Sequence, residues 1–487
     1  MTSSSKDFHE PDALKRHDKI GNDVKPLRVC GDARLAAGDA PGALEYYRMA
    51  LAAGDGCPDV LYAAGVAEQI CGDLTAARGL WRRALAEAPA HADAAVNATL
   101  AALQSGDWAE AEAVAAAAIA AGVAEPRLHL WLGHALAKQF REVEAATAYR
   151  QAAIADRSSV EAWFSLGLGL RDLCGYDAAR ACFTQVLDLA PQHAEAAFEA
   201  AQIDLMAGRW HDGFALWPAR LRRRTSLLPE TLEGAAWTGE ALPGTLVLQA
   251  EQGIGDCLQF LRYAELAAAR VGRLVVRVHP PLLRLLNRPE FPWRAVGFGE
   301  PVAAEAHAPL LDLPRLLGCE APCGERAAWL AEAPWTRRGN RVGLVWSGNP
   351  AHHNDGRRSA GFAPFLALKQ VAGVEFRHFQ WGAAPEETVL WPELADATVG
   401  AADFADTARR MADCDLVVSV DTAAVHLAGA LGVPTWVLVP DVPDWRWGAR
   451  GDATPWYPLA TVWRQGSRGG WNELLDRVAE ALIDWRE

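Results

Sequence analysis

The feature that most constrains the fold is a repeat of 34 residues in the first half of the chain. Small residues recur at two positions of the repeat, and aromatic or small residues recur between them. A fixed period of this length predicts a stack of like helical units, because each unit can bury its apolar face only against its neighbours. The first small position holds Ala77, Ala111, Ala145 and Ala179, the second holds Ala84, Ala118, Ala152 and Val186, and the position between them holds Trp81, Ala115, Tyr149 and Phe183.

This pattern is typical of the tetratricopeptide repeat, a helix-turn-helix whose small positions let the paired helices approach closely. The unit at residues 162–191 fits best, and Gly133 and Gly167 keep the same period. We predict an α-solenoid of about six units over residues 24–225, preceded by a polar tail at 1–23. Its concave groove is suited to docking a peptide or protein, and a structural spacer or dimerising arm is the alternative.

Composition excludes several classes of function. The 487 residues carry a formal net charge of −14, which argues against a general nucleic-acid or anionic-membrane binder, since both need a basic surface. The N-terminus lacks the apolar segment of a signal peptide, and no apolar run approaches the roughly 20 residues of a membrane span. Nine scattered cysteines show no zinc-binding spacing and suit a reducing compartment. We therefore expect a cytoplasmic protein and leave its oligomeric state open.

The second half of the chain has a different pattern. After about residue 225 the period stops, and short strand-like runs alternate with helical stretches, which predicts parallel sheets covered on both faces. Two series of such runs predict two Rossmann-like halves, at 226–340 and 341–487, that face each other across a cleft. Ligands of such sheets bind at the carboxyl ends of the strands. The predicted strand segments include TLVLQAEQ (245–252), RLVVRVHP (273–280), RVGLVWSG (341–348), DLVVSV (415–420) and TWVLVP (435–440).

One strand end with candidate chemistry is AEQGIGDCLQF, residues 250–260. Gln252, Gly253 and Gly255 form a tight turn after the strand, and Asp256 begins a helix. Asp256 is therefore a candidate general base that faces the cleft. The alternative is a plain helix N-cap, since an aspartate there accepts backbone N–H bonds.

A second strand end lies in residues 416–440, where LVVSV stops at Asp421-Thr422-Ala423 and a helix follows. The first N–H groups of a helix have no intrahelical partner, and with the helix dipole they form an anion site suited to phosphate. His426 lies four residues after Thr422, on the same face of the first turn, where it would donate a hydrogen bond to that phosphate. The alternative is a buried histidine bonded to a neighbouring strand.

The loop GNPAHHNDGRRSAGF, residues 348–362, follows a third strand. Its Arg357 and Arg358 suit recognition of phosphate or carboxylate, and a solvated loop is the alternative.

Two sets of residues resemble metal ligands, but we expect no metal. Asp413-Cys414-Asp415 spells DxD at a helix end, where solvated acids are the better interpretation. His352, His353 and Asp355 lie in one short loop, which does not complete a coordination sphere.

Together these segments resemble a known group of enzymes. Residues 240–487 resemble bacterial GT-B glycosyltransferases related to the lipopolysaccharide heptosyltransferases. With the repeats in front, the whole chain resembles repeat-containing glycosyltransferases, including flagellin glycosyltransferases that use a nonulosonic acid. The matching segments are EQGIGD, GLVWSGNPAHHND, RRS, DFADTARRMADCDLVVSVDTAAVHLAGALG, PDWRWG, PWYP and WRQ.

The resemblance implies a role for each matched residue. The first α/β half would meet the acceptor and the second half the nucleotide-activated sugar, with no metal or other cofactor. Heptosyltransferases often have glycine where Ala423 stands, but only its backbone N–H is needed. Asp256 would be the catalytic base, Asp421, Thr422, Ala423 and His426 the donor-phosphate site, and Arg358 a basic residue near the donor.

Two features depart from the heptosyltransferases. The repeats imply a protein acceptor, such as flagellin, rather than a lipid. Residues 443–465 are rich in Trp and Arg, so we expect Trp445, Arg446 and Trp447 to line the donor side, with an arginine pairing with the carboxylate of a nonulosonic acid. Packing and a surface arginine are the alternative there. For the whole chain, we expect an inverting protein glycosyltransferase. The alternatives are a catalytically inactive repeat adaptor, or a lipopolysaccharide or small-molecule glycosyltransferase with a dimerising repeat arm.

Overall fold

The computed structural model describes residues 24–223, 234–319, 321–322, 326–352, 354–384, 387 and 389–486. The predicted tail at 1–23 and the predicted domain boundary at 225/226 lie outside the described residues. The chain divides into two compact units, Met1–Pro191 and Gln192–Glu487. Each unit has hydrophobic clusters of its own.

The described part of the first unit consists of helices that pair in sequence order. Each helix packs on the next, and the second helices begin 34 residues apart. The pairs are α1 (Val24–Ala36) with α2 (Ala40–Ala52), α3 (Pro58–Ile70) with α4 (Leu74–Glu87), α5 (Ala92–Gln104) with α6 (Trp108–Ala120), α7 (Pro126–Lys138) with α8 (Glu142–Ala155), and α9 (Val160–Asp172) with α10 (Tyr176–Leu189).

The period arises from one packing contact within each pair. A Cβ atom on Gly65 of α3 would lie 2.4 Å from the indole nitrogen of Trp81 on α4, so the ring needs a residue without a side chain opposite it. Where the aromatic position holds Ala115, the opposite position holds the larger Thr99, and both are buried. The packing contact is therefore kept because a larger residue at one position compensates for a smaller residue at the other. The glycine–aromatic pairs are Gly31–Tyr47, Gly65–Trp81, Gly133–Tyr149 and Gly167–Phe183.

The second unit begins with one further helical pair. This pair comprises α11 (Ala194–Met206), α12 (Trp210–Leu216) and a 3₁₀ helix (Trp217–Arg222). The α-helix ends early because Pro218 lacks the N–H that would bond back into it. Trp217 stands one period after Phe183, but its side chain belongs to the core of the α/β region. The last predicted repeat thus packs with the second unit.

Two sheets follow, and every strand pair in the described residues is parallel, which confirms the predicted parallel α/β region. The strands are β1 (Ala235–Ala236), β2 (Leu242–Gln249), β3 (Val271–Val278), β4 (Arg294–Gly297), β5 (Ala306–Pro309), β6 (Arg341–Val345), β7 (Glu375–His378), β8 (Ala395–Asp396), β9 (Leu416–Val420), β10 (Thr435–Val439) and β11 (Ala460–Arg464). The strand order is β1-β5-β2-β3-β4 in the first sheet and β11-β10-β9-β6-β7-β8 in the second.

Helices connect these strands and share one core across both sheets. That core contains buried residues of β2 and β3 from the first sheet and of β9 and β10 from the second. The remaining α-helices are α13 (Ile254–Phe260), α14 (Ala264–Ala268), α15 (Leu283–Leu286), α16 (Leu313–Leu317), α17 (Asp355–Arg358), α18 (Phe404–Met411), α19 (Ala423–Ala430) and α20 (Trp471–Arg486).

One of the two acids predicted to be solvated is not. Asp415 is 2% exposed, and its carboxylate accepts backbone N–H bonds from Arg338 (2.6 Å), Gly339 (3.0 Å) and Arg341 (2.9 Å). It fixes the segment that leads into β6, so its role is structural. Asp413 is more than half exposed and lies 3.7 Å from Arg338. Across the described ranges, no cluster of three or more His, Cys, Asp or Glu side chains could hold a metal ion.

Within the part of the chain that the structure describes, no helix combines the length and the apolar character that crossing a membrane requires.

Candidate functional site

The turn between β2 and α13 holds Asp256 at the start of the helix. Gln252 has a positive φ of 57°, and Gly253 is the N-cap. Asp256 Oδ2 accepts a 2.9 Å hydrogen bond from the backbone N–H of Gly253. The helix therefore begins at Ile254, two residues before the predicted start at Asp256, and the N-cap is Gly253. Asp256 is the third residue of the helix and caps it by accepting from the Gly253 N–H. The other carboxylate oxygen, Oδ1, is turned away from the cap and pairs with Arg446.

The turn between β9 and α19 leads directly into the helix, which begins at Ala423. Thr422 is the N-cap, and its hydroxyl accepts from the N–H of Ala424 at 3.3 Å. Arg358 donates to the backbone oxygen of Asp421 at 3.4 Å and to the Asp355 carboxylate at 3.2 Å. The structure thus brings Arg358, predicted to lie near the donor, to the same turn as Asp421, Thr422 and Ala423.

Asp421 is half-buried in this turn. Burial, together with the neighbouring Asp444 carboxylate, raises the pKa of Asp421 to about 6, although Arg446 and Arg358 act in the opposite direction. The carboxyl group of Asp421 therefore ionises near pH 6, a pH at which most aspartates are fully ionised.

His426 lies on the inner side of α19. It is 5% exposed, its Nδ1 shares a 2.8 Å hydrogen bond with the Tyr457 hydroxyl, and its ring stacks on Trp447 with centroids 5.8 Å apart. Burial, together with Arg446 and other nearby arginines, lowers its pKa well below the usual value, so it is uncharged at neutral pH. The buried alternative comes closer to what is found, although the partner is Tyr457. A hydrogen bond from His426 to a donor phosphate stays a prediction.

The two turns meet at Gly255. A Cβ atom there would lie 2.7 Å from Cδ2 of His426 and 3.4 Å from Cα of Ala423. No side chain fits, so helices α13 and α19 are in direct contact at their first turns. The residues predicted at the ends of β2 and β9 therefore form one site, shared by the two sheets.

Arg446 joins the two sides of this site. It is 8% exposed, and its guanidinium donates to Gln259 (2.5 Å), to Asp444 (2.9 Å) and to Asp256. Because Nε, Nη1 and Nη2 all have protein acceptors, the predicted pairing with a sugar carboxylate would compete with these bonds.

Trp445 differs from its prediction as a donor-lining residue. It is 2% exposed, and its ring meets Trp217 (5.3 Å) and Trp456 (5.6 Å) edge-on. Trp447 is also buried, against His426. Burial of large apolar rings stabilises the folded state most. Here Trp445 packs on Trp217 and Trp456, and Trp447 packs on His426.

Sequence reasoning missed three residues that hold the site together, Gln259, Asp444 and Tyr457. The signal for Tyr457 was a glycine 28 residues away, since a Cβ on Gly429 of α19 would lie 2.2 Å from the tyrosine ring. Pairings between such distant positions have no periodicity that one sequence could reveal. The assembled site places the Asp256 carboxylate, paired with Arg446, on a helix whose first turn contacts the first turn of α19.

Comparison with known proteins confirms the repeats. A tetratricopeptide-repeat family model matches residues 71–125, 96–160 and 164–217. Protein FlbA of Caulobacter vibrioides (strain ATCC 19089 / CIP 103742 / CB 15) is 27% identical over 332 residues, which cover 59% of this chain and 55% of that protein. The chain thus spans about half the length of this curated relative.

Several solved structures are similar to part of the chain. MamA 41-end from Desulfovibrio magneticus RS-1 is 24% identical, with a TM-score of 0.33 and coverage of 36% of this chain and 98% of that one. YrrB, described as a TPR protein with an unusual peptide-binding site, is 20% identical, with a TM-score of 0.34 and coverage of 37% and 92%. PilF of Pseudomonas aeruginosa is 18% identical, with a TM-score of 0.35 and coverage of 42% and 94%.

Proposed function

We propose that the chain is a glycosyltransferase with two GT-B halves that moves a sugar from a nucleotide-activated donor to a protein. The observation that carries the proposal is the contact at Gly255. It sets a turn with a carboxylate, from one parallel sheet, against the first turn of a helix that follows a strand of the other. Both turns follow the carboxyl ends of parallel strands, where ligands of such sheets bind.

The proposed reaction is a single displacement. Asp256 takes the proton of a serine or threonine hydroxyl while the hydroxyl oxygen attacks the anomeric carbon. The bond from that carbon to the donor phosphate breaks, the phosphate keeps the electron pair, and the anomeric configuration inverts. The first N–H groups of α19 and the Arg358 guanidinium, near Asp421, would stabilise the negative charge of the departing phosphate.

The acceptor side of the proposal rests on the repeats. A tetratricopeptide solenoid docks peptides and proteins, which makes a protein the proposed acceptor, with flagellin and a nonulosonic acid as the pair that the family resemblance implies. A nonulosonic acid carries a carboxylate, and Arg446 is the cation at the site that would exchange its protein partners for it.

A non-catalytic repeat adaptor is the second candidate, and one observation favours it. Both oxygens of Asp256 are already engaged, one by the Gly253 N–H and one by Arg446. On this alternative Asp256 only caps α13 and ties the two sheets together.

Purified protein incubated with CMP- and UDP-sugars and with flagellin tests the proposal. We expect calorimetric binding of at least one donor and a mass increase of one sugar on the acceptor. Donor binding without any transfer, across all donors, would favour the adaptor. The absence of both donor binding and sugar transfer would reject the proposal that the chain is a glycosyltransferase.

A further inference from the structure

We propose that the last helical pair, residues 194–222, is a positioning element of the active site, with Trp217 and Arg220 as its positioning residues. The predicted effect on turnover rests on the proposed function, whereas the predicted support of neighbouring segments does not. The sequence pattern alone assigns residues 194–222 to the repeats.

One anchor is a buried ion cluster at the turn before Asp256. Arg220, on the 3₁₀ helix, is 4% exposed and donates to Glu251 at 3.1 Å and to Asp312 at 2.6 Å. Glu251 and Asp312 are equally buried. Glu251 stands two residues before Gly253, whose N–H holds the Asp256 carboxylate. Arg220 is therefore linked to Asp256 through one short stretch of backbone.

The second anchor is aromatic and lies on the opposite side of the site. Trp217 contacts Trp445 edge-on at 5.3 Å, and Trp210 contacts Trp456 edge-on at 5.9 Å. The next residue after Trp445 is Arg446, the partner of Asp256. The next residue after Trp456 is Tyr457, the partner of His426.

The same short helical pair thus supports the turn that carries Asp256 and the segments that carry Arg446 and Tyr457. Displacing Trp217 would release the segment around 445–447, and loosening Arg220 would release the turn at 251–256. Small misplacements of reacting groups cost large factors in rate. Transfer therefore requires that the turn at 251–256 and the segment at 445–447 keep a fixed position relative to each other.

The chain offers a matched control for Trp217. Phe183 occupies the same position of the preceding repeat, one period earlier, and is also buried. Its ring packs over Gly167 and against Phe164 of its own repeat, both far in sequence from any predicted site residue. Truncation of either ring to leucine removes a buried aromatic side chain, but only Trp217 contacts the segment that carries Arg446.

The test compares Trp217→Leu and Phe183→Leu in the full chain by amide hydrogen exchange and by steady-state transfer kinetics. We expect Trp217→Leu to raise exchange in residues 250–257 and 444–457 and to lower kcat by about 10- to 100-fold, with a smaller change in the KM for the acceptor. Phe183→Leu should leave both segments protected and kcat within about twofold of wild type.

Arg220→Lys is a second variant in case Trp217→Leu does not fold. It keeps the buried positive charge but loses the planar fork that spans two carboxylates, so exchange should rise in 250–257 more than in 444–457. Unchanged exchange in Trp217→Leu would overturn the inference; where that variant does not fold, unchanged exchange in Arg220→Lys would do so. Equal loss of kcat in Trp217→Leu and Phe183→Leu would also overturn it. If wild type transfers no sugar, the proposed function is rejected and the exchange data alone decide the inference.

Discussion

Gly255 is the residue at which the first turns of α13 and α19 meet. The space that a Cβ atom would need is taken by the ring of His426 and the backbone of Ala423. The sequence predicted glycine at this turn for its tightness. The structure adds a second reason, since the glycine lets one helix start pack directly on the other.

Gly255→Ala should therefore overpack the contact. We expect the free energy of unfolding to fall by about 1–3 kcal/mol, because neither His426, held by Tyr457 and Trp447, nor the α19 backbone can move away cheaply. Urea unfolding of the full chain measures this. Gly466→Ala is the control, because a Cβ there meets nothing within 4 Å, and equal losses in the two variants would contradict the explanation.

Asp421 gives the site a pH dependence. Its folded-state pKa is about 6, above the value of 3.8 for an unperturbed aspartate, so its protonated form is favoured in the folded state. Its contribution to stability is therefore favourable at low pH and is lost as the pH rises from about 4 through 6. Asp421→Asn removes this titration.

We expect the free energy of unfolding of Asp421→Asn, relative to wild type, to rise by about 1–3 kcal/mol between pH 4.5 and pH 7.5. Urea unfolding of both proteins at the two pH values measures the difference, and titrating groups remote from Asp421 cancel in the comparison. A difference that stays constant with pH would show that Asp421 titrates normally.

At the scale of elements, the turns within the helical pairs follow the same period as the packing positions. The second residue after each first helix has a positive φ, a conformation that favours glycine because other residues place Cβ too close to the backbone. The period places glycine there in four pairs and a residue with a side chain in two. The positions are Gly38 (80°), Gly72 (93°), Gly106 (73°), Phe140 (59°), Cys174 (58°) and Gly208 (76°).

Phe140→Gly should relieve this strain. The Phe140 side chain is 69% exposed, so little burial is lost, and we expect a gain of about 0.5–1 kcal/mol in the free energy of unfolding. Gly106→Ala, one repeat earlier, should cost about 1 kcal/mol. Urea unfolding followed by circular dichroism compares the two, and changes of the same sign would contradict the explanation.

The regular elements were largely predictable, and the irregular ones were not. The period of 34 fixed the helical pairs because many positions repeat it, and the long apolar runs located β2, β3, β6, β9 and β10. The strands β1, β4, β5 and β8 have two to four residues, too few for an alternating pattern to show. The predicted helix after Asp256 is divided into α13, a 3₁₀ turn and α14, which no composition signal marked.

At the scale of the whole molecule, the compact division does not follow the sequence repeat. The period continues through Trp217, and a repeat model matches as far as residue 217, yet the compact second unit begins at Gln192. The reason is the environment of single side chains. Trp217 has the aromatic character of its position in the repeat and meets Phe198 of its own repeat at 5.4 Å. Its ring also meets Trp445, 228 positions later, at 5.3 Å. One sequence cannot reveal such a pairing.

This division predicts how the chain can be cut. A fragment of residues 192–487 should fold and unfold cooperatively, whereas 224–487 should not. The shorter fragment leaves buried Glu251 and Asp312 without Arg220, at a cost of about 3–5 kcal/mol, and exposes Trp445 and Trp456. Thermal unfolding by circular dichroism measures both, and equal cooperativity would contradict the division.

The central claim is that Asp256 acts as the base of a sugar transfer, and its most direct test is the rate of mass transfer to the protein acceptor for two isosteric variants. Asp256→Asn and Asp444→Asn each weaken one bond to Arg446, but only the first removes the proposed base. We predict that Asp256→Asn still binds the donor and loses about 100-fold or more of the transfer rate, while Asp444→Asn loses far less. Transfer by Asp256→Asn at the rate of Asp444→Asn would contradict the account and leave Asp256 as a cap and a tie between the sheets.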